Sequence, residues 1–121
     1  MASIKKYNAA FQCWEWTNAA GQLHREDGPA VECDNGNLYW YFNDRRHREN
    51  GPAIEYNDGS KVWYRHGLLH REDGPAIEYT NEIKEFWVNG VRTYSPEELQ
   101  IIEKEKLERE IIRKENESIL I

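Results

Sequence analysis

The chain repeats almost the same eight residues three times, at a constant spacing of 23 residues. "LHREDGPA" occupies residues 23–30 and again residues 69–76, and "RHRENGPA" occupies residues 46–53 between them. A fixed period of this length is typical of repeat proteins, in which each unit is one supersecondary structure that docks on the next. We therefore predict a β-repeat domain over residues 1–94, with an irregular N-terminal unit followed by units near 23–45, 46–68 and 69–91.

Two turn signals recur in each unit. Asn35-Gly36 and Asp58-Gly59 are dipeptides preferred in two-residue hairpin turns, and the third unit has Asn81-Glu82 there, which suits a wider turn. A second signal follows about eight residues later. Segments rich in Val, Ile, Tyr and Trp lie between the turns. The fold class predicted is mainly β, an antiparallel meander with two strands per unit. The second signals are Asn43-Asp44, His66-Gly67 and Asn89-Gly90.

Turn positions also predict the register of the strands. A two-residue turn at Asp58-Gly59 places Ile54 opposite Trp63, and the same arithmetic pairs Val31 with Trp40 and Ile77 with Phe86. One face would then carry aliphatic residues against aromatic residues. The other face would carry tyrosines beside Glu32, Glu55 and Glu78.

The histidines of the repeat are predicted to be structural. The second turn places Trp40 opposite His47 and Trp63 opposite His70, so each imidazole is expected to pack on an aromatic ring. These structural positions of the repeat are His24, His47 and His70 with Trp40, Trp63 and Phe86.

The Arg-x-Asp-Gly-Pro-Ala part of each unit indicates a bend. Glycine permits unusual backbone angles, and proline fixes φ and removes an amide donor. Each repeat arginine is expected to pair with the neighbouring carboxylate or to stack on a tyrosine of the next strand. These arginines are Arg25, Arg48 and Arg71.

The segments "WYFNDRRHRENGPAIEYNDG" and "WYRHGLLHREDGPAIEY" resemble short tandem repeats of the Trp-Tyr-x-Asn-Gly-x-x-His-Arg-x-Asp-Gly-Pro-Ala type found in proteins of phages and large DNA viruses. That pattern is similar to variant MORN repeats, which are two-stranded units of about this length. The resemblance covers roughly residues 11–94. It implies a MORN-like architecture that serves as a binding or assembly surface, and it transfers no catalytic residue.

Residues 95–121 predict a C-terminal helix and tail. Ser95 is a candidate N-cap, Pro96 suits the first helical position, and Glu98 completes a capping box. Apolar residues point to both sides of the helix, including Ile101 and Ile112. One side is expected to cover part of the sheet, and the other to carry association with a partner or a second copy. The helix is predicted to end near Asn116, with the terminal "SILI" extended.

Composition excludes several classes of function. The net charge of −6 with no basic run argues against direct nucleic-acid binding, and no apolar run is long enough to span a membrane. Cys13 and Cys33 are too few for a secreted disulfide framework, and "MASIKKYNAA" lacks the apolar core of a signal peptide. A reducing, cytoplasmic setting is therefore expected, within the host cell if the chain is viral.

No catalytic or metal-binding pattern stands out. Equivalent positions of successive two-stranded units lie about 9–10 Å apart, so the three repeated histidines cannot share one zinc ion, whose ligands lie about 2 Å from the metal. We therefore expect no enzyme, no catalytic or metal site and no cofactor.

The predicted function is binding of a protein partner, as in a phage accessory protein that inhibits a host defence protein, for example as an anti-CRISPR protein. Aromatic residues beside carboxylates would anchor such a partner. One alternative is sequestration of a small anionic nucleotide by Arg25, Arg48 or Arg71. Another is a purely structural assembly role. The predicted partner-binding residues are Tyr39, Tyr41, Tyr64, Trp87, Glu32 and Glu55 with Ile101 and Ile112 of the helix.

Overall fold

A computed structural model describes residues 3–119 of the chain. Thirteen short strands precede one long helix. The strands are β1 (Ile4–Asn8), β2 (Cys13–Thr17), β3 (Val31–Cys33), β4 (Leu38–Tyr39), β5 (Tyr41–Phe42), β6 (Arg45–Arg46), β7 (Ile54–Glu55), β8 (Lys61–Val62), β9 (Tyr64–Arg65), β10 (Leu68–Leu69), β11 (Ile77–Glu78), β12 (Lys84–Val88) and β13 (Val91–Thr93), and the helix is α1 (Pro96–Ile119).

The strands form an antiparallel meander, as predicted. One nine-stranded sheet has the order β1-β2-β3-β4-β7-β8-β11-β12-β13, and every pairing in it is antiparallel. Two small hairpins, β5-β6 and β9-β10, project from it. Each repeat therefore adds two strands to the main sheet, and its second strand runs on into a hairpin.

The second turn of each unit has the predicted two-residue form. Both central residues have positive φ: 49° and 65° at Asn43 and Asp44, and 48° and 82° at His66 and Gly67. This is the backbone of a type I′ turn, whose twist matches that of the flanking strands. The amide of His47 consequently donates to the carbonyl of Trp40 at 3.1 Å, in the predicted register.

The first turn of each unit differs from the prediction, and the register shifts with it. Ile54 lies opposite Val62 rather than Trp63, Val31 opposite Tyr39, and Ile77 opposite Glu85. The loop holds three residues, because the amide of Tyr56 donates to Ser60 and only Gly59 has positive φ, at +95°. A type I turn closed by a left-handed residue has this form. A shift of one residue moves every side chain to the opposite face.

The third unit keeps the same turn without glycine. The amide of Tyr79 donates to the carbonyl of Ile83, so residues 80–82 form a three-residue loop. This loop is wider than a two-residue turn, as predicted, but it is no wider than its counterparts in the first two units. Glu82 takes the left-handed position with φ of 69°. A left-handed backbone is sterically unfavourable for glutamate, which has a Cβ atom.

Helix α1 begins as predicted, but the predictions that it covers the sheet and ends near Asn116 are wrong. Ser95 and Glu98 form the reciprocal capping box, with both hydrogen bonds at 3.2 Å. No residue of the helix is buried, so it does not cover the sheet, and it continues past Asn116 to Ile119. Uninterrupted backbone hydrogen bonding favours the longer helix, because nothing in "ENES" breaks it. Leu120 and Ile121 lie outside the described residues. No helix among residues 3–119 is long and apolar enough to span a membrane.

The two cysteines are joined in a disulfide between neighbouring strands. Cys13 and Cys33 are paired directly across β2 and β3, although 20 residues separate them in sequence. Disulfides persist mainly in oxidising compartments, so this bond argues against the predicted reducing setting, while the cytoplasmic location stays a prediction.

Candidate functional site

One face of the sheet is built from the repeat arginines and tryptophans. The Arg48 guanidinium lies on the Trp40 ring, with Cζ 3.9 Å from the ring centroid. Its Nη1 donates to the carbonyl of Pro52 at 3.1 Å and to Glu55 Oε1 at 3.2 Å. A planar guanidinium can stack and donate at the same time, which an ammonium cannot. Arg48 therefore connects Trp40, the backbone of Pro52 and the side chain of Glu55.

The same arrangement surrounds the other two repeat arginines. Arg25 stacks on Trp16 at 4.0 Å and Arg71 on Trp63 at 3.8 Å. Both also donate from Nε to a carboxylate at 2.9 Å, and these hydrogen bonds and positive charges hold the pKa of Asp27 and of Asp73 below the ordinary value. The predicted pairing with carboxylates is confirmed there, but the stacking partner is tryptophan rather than tyrosine.

The glycines of the Asp-Gly-Pro motif serve the arginines and not a left-handed bend, contrary to the prediction. Among the glycines of residues 3–119, positive φ is confined to Gly21, Gly36, Gly59, Gly67 and Gly90. A Cβ atom placed on Gly51 would lie 3.0 Å from Cζ and Nη1 of Arg48. A Cβ atom at this position would press on the guanidinium, which lies between Gly51 and the indole of Trp40. Gly28 and Gly74 stand in the same relation to Arg25 and Arg71.

The repeated histidines link successive hairpins, and the prediction that they pack on Trp40 and Trp63 is wrong. Nδ1 of His47 accepts a hydrogen bond from the amide of His66 at 2.9 Å. The aromatic rings near His47 belong to His66, at 4.2 Å, and to Phe42, at 6.3 Å. Repeat arginines occupy the indole faces instead. His24 and His70 accept from Asn43 and Asn89 in the same way, and Phe86 lies opposite Thr93.

Glu32 and Glu55 belong to this arginine face and not beside the tyrosines. The two carboxylates bind Arg25 and Arg48 at 3.2 Å. Their strand positions alternate with those of Val31 and Ile54, so their side chains point to the opposite face. The predicted combination of tyrosine and carboxylate on one surface is therefore wrong, because the register is shifted by one residue.

The opposite face, which we call the tyrosine face, carries most of the tyrosines. Its central row crosses the sheet through Val31, Tyr39, Ile54, Val62 and Ile77. The buried aliphatic residues of that row form its floor; Ile54 is 2% exposed. Two aromatic rows flank the floor at positions two residues along each strand. They are Tyr41, Tyr64 and Trp87 on one side, and Tyr56 and Tyr79 on the other.

Arg46 organises the first of these rows. Its Nε donates to the Tyr41 hydroxyl at 3.3 Å and its Nη1 to the Tyr64 hydroxyl at 3.5 Å. Partial burial acts to lower the pKa of Arg46, but the hydrogen bond to Tyr41 and the charges of both phenols outweigh burial and raise that pKa. Since both phenol oxygens accept from Arg46, each hydroxyl proton remains available to an outside acceptor.

The tyrosine face is concave where the first repeat unit lies. A cavity of about 670 Å³ opens there between the disulfide and the aromatic rows. Burial of the Tyr56 phenol, reinforced by the nearby Tyr39, raises the pKa of Tyr56, which keeps it a neutral hydrogen-bond donor. The cavity is lined by Cys13, Glu15, Val31, Cys33, Tyr39, Tyr41 and Arg46, among others.

The predicted site residues thus separate into three places. The tyrosine face holds Tyr39, Tyr41, Tyr64 and Trp87. The arginine face holds Glu32 and Glu55, and Ile101 and Ile112 are exposed on α1. Sequence reasoning missed Arg46, Tyr56 and Tyr79. Tyr56 and Tyr79 keep the 23-residue phase with Cys33, which was the available signal. Among residues 3–119, no group of three or more His, Cys, Asp or Glu side chains is placed to hold a metal ion.

Comparison with known proteins finds no match for this chain among protein-family models, curated proteins or solved structures.

Proposed function

We propose that the chain is a non-enzymatic binding protein whose tyrosine face takes up a protein partner. The observation that carries this proposal is that the polar groups of the arginine face bind one another, whereas those of the tyrosine face are left to contact a partner. On the arginine face, guanidinium groups, carboxylates and indoles are engaged with one another. On the tyrosine face, aromatic rings stand over an aliphatic floor with hydroxyl groups free to donate.

The chemistry of the tyrosine face suits protein recognition. Tyrosine and tryptophan supply large contact areas at a small cost in conformational entropy, and they are enriched among the residues that dominate binding energy. Glu85 on this face pairs with Arg92 at 3.2 Å, whereas Arg46 is surrounded by neutral phenols and keeps its positive charge. A surface of this kind disfavours a strongly basic partner.

Affinity capture with a matched pair of variants tests the proposal. Tyr56 and Tyr7 are both 37% exposed, but Tyr56 lies on the tyrosine face and Tyr7, opposite Trp14, on the other. The intact chain serves as bait in a lysate of the organism that encodes it. We expect Tyr56→Ser, combined with Tyr64→Ser, to lose a protein that the wild type and Tyr7→Ser both retain. Equal capture by all three baits would contradict the proposal.

A second candidate function is association through α1. All seven large aliphatic residues of the described helix are 41–80% exposed, and burying each is worth roughly 1.5–3 kcal/mol. We expect truncation after Tyr94 to leave a folded β-domain with a smaller oligomeric mass by light scattering. A truncated chain with the same oligomeric state as the full-length protein would contradict self-association. The residues are Leu99, Ile101, Ile102, Leu107, Ile111, Ile112 and Ile119.

Several narrower expectations remain proposals of lower rank. Inhibition of a host defence protein and the MORN-like relationship are supported by the sequence resemblance. A cytoplasmic location is supported by composition and opposed by the disulfide. Binding of an anionic nucleotide by Arg25, Arg48 or Arg71 is less favoured, because Nε or Nη1 of each guanidinium already donates within the protein. Identification of the captured partner would test the first of these directly.

A further inference from the structure

We infer that the segment bound by the tyrosine face is an extended, proline-containing peptide in the polyproline II conformation, lying across the strands with a proline at every third residue. This inference rests on the proposed function and names the chemistry of its partner. It is carried by the spacing of the aromatic row Tyr41, Tyr64 and Trp87, by the hydrogen-bonding state of that row and by its charge.

The spacing of the row matches the pitch of a polyproline II helix. Tyr41, Tyr64 and Trp87 occupy the same position in three successive two-stranded units. Hydrogen bonds from Gly67 to the Arg46 carbonyl and from Gly90 to the Leu69 carbonyl, both 2.8 Å, hold the successive hairpins side by side. Two strand spacings amount to about 9.6 Å. Polyproline II rises about 3.1 Å per residue with three residues per turn, or about 9.3 Å. Each aromatic ring can therefore meet one proline of a single peptide.

The hydrogen bonds of the row select an acceptor-rich segment. Tyr41 and Tyr64 accept from Arg46, so what each offers outward is an O–H donor. The Trp87 indole N–H is already used on Glu85 at 3.2 Å, which leaves its ring face for packing. A polyproline II segment exposes unpaired carbonyl groups, and its prolines carry no N–H. Donors on the protein thus meet acceptors on the peptide.

Charge is compatible with the same occupant. Among the described residues near the row, Glu85 is bound by both Arg92 and the Trp87 indole, whereas Arg46 donates to neutral phenols and keeps its positive charge. A basic peptide is therefore disfavoured, and the partial negative charge of peptide carbonyl groups suits Arg46. A segment that binds in a conformation that is already extended loses little conformational entropy.

A pair of synthetic peptides of about twelve residues tests the inference, one with proline at every third position and one with the same composition and the prolines adjacent. We expect the first to perturb the NMR signals of the Tyr41, Tyr64 and Trp87 rings and to bind more tightly. Tyr64→Phe, which keeps the ring and removes the donor, should weaken binding roughly three- to tenfold, and Tyr7→Phe should not.

Equal affinity for both peptides, or perturbations confined to other surfaces, would overturn the inference. Those outcomes leave the proposed function untouched, because affinity capture with Tyr56→Ser and Tyr64→Ser measures binding of the native partner independently of its conformation. If the variants captured the same proteins as the wild type but the spaced-proline peptide still bound specifically, the proposed protein partner would be contradicted. The inferred preference for a polyproline II peptide would then stand.

Discussion

The imidazole Nδ1 of His47 accepts a hydrogen bond from the backbone amide of His66, 19 residues further along the chain, at a distance of 2.9 Å. The amide belongs to the type I′ turn of the β9-β10 hairpin, and Nε2 of the same ring contacts Glu49 at 2.7 Å. One buried side chain at the end of the β5-β6 hairpin thus fixes the position of the following hairpin. The repeated histidine is explained by docking between successive hairpins.

His47→Ala should therefore lower the free energy of unfolding, on the order of 1–2 kcal/mol, because the His66 amide loses its acceptor. Urea unfolding measures the loss, and hydrogen exchange at the His66 amide should accelerate. His66→Asn is the matched control: it removes the stacked ring, keeps the amide and suits positive φ. If His66→Asn destabilises the chain as much as His47→Ala does, the stacking of the two rings, and not the hydrogen bond, links the two hairpins.

Gly51→Ala should destabilise the chain by about 1 kcal/mol or more, because the new Cβ would displace the Arg48 guanidinium from Trp40. In an Arg48→Ala background the same substitution should cost almost nothing, since Gly51 has ordinary φ. Thermal unfolding of the four proteins gives the coupling. Additive losses would show that Gly51 serves the backbone and not the arginine.

Glu82→Gly should stabilise the chain by roughly 0.5–1 kcal/mol, because the left-handed backbone at Glu82 carries a steric penalty that glycine avoids. Gly59→Glu, at the equivalent turn, is the reverse experiment and should destabilise. Chemical denaturation of both variants measures the two effects. A loss of stability in Glu82→Gly would mean that the Glu82 side chain contributes more than its backbone costs.

Asp27 and Asp73 should contribute stability that is lost in acid. Arg25 and Arg71 hold the folded pKa of each carboxyl below its ordinary value of 3.8, so the contribution is present above pH 3.8 and disappears as pH falls through the folded pKa. Arg25→Gln should raise the pKa of Asp27 and leave that of Asp73 unchanged, by NMR titration. A shift of both, or of neither, would contradict local pairing.

Much of the fold follows from local sequence signals. The 23-residue period, the type I′ turns at Asn43-Asp44 and His66-Gly67, and the capping box of Ser95 and Glu98 are each decided by a few adjacent residues. The conformational preferences of those adjacent residues are sufficient to predict such features. The antiparallel meander and the start of the helix were predictable for that reason.

The composition of the faces was harder to predict, because it depends on one turn. Asp58-Gly59 suits a two-residue loop as well as a three-residue loop, and the choice moves Trp63 and Ile54 to opposite faces. Stacking of Arg48 on Trp40, and the enclosure of Arg46 by phenols, follow from that choice. The disulfide and the exposure of α1 depend on long-range packing, which spacing in the sequence does not encode.

The central claim is that the tyrosine face binds the partner while the arginine face holds the fold. Hydroxyl-radical footprinting of the chain, with and without its captured partner and read by mass spectrometry, tests it most directly because no residue is changed. We predict that the partner protects Tyr41, Tyr56 and Tyr64 from oxidation and leaves Tyr7 and Trp14 as reactive as before. Protection of Tyr7 and Trp14, with Tyr56 and Tyr64 unaffected, would contradict the claim.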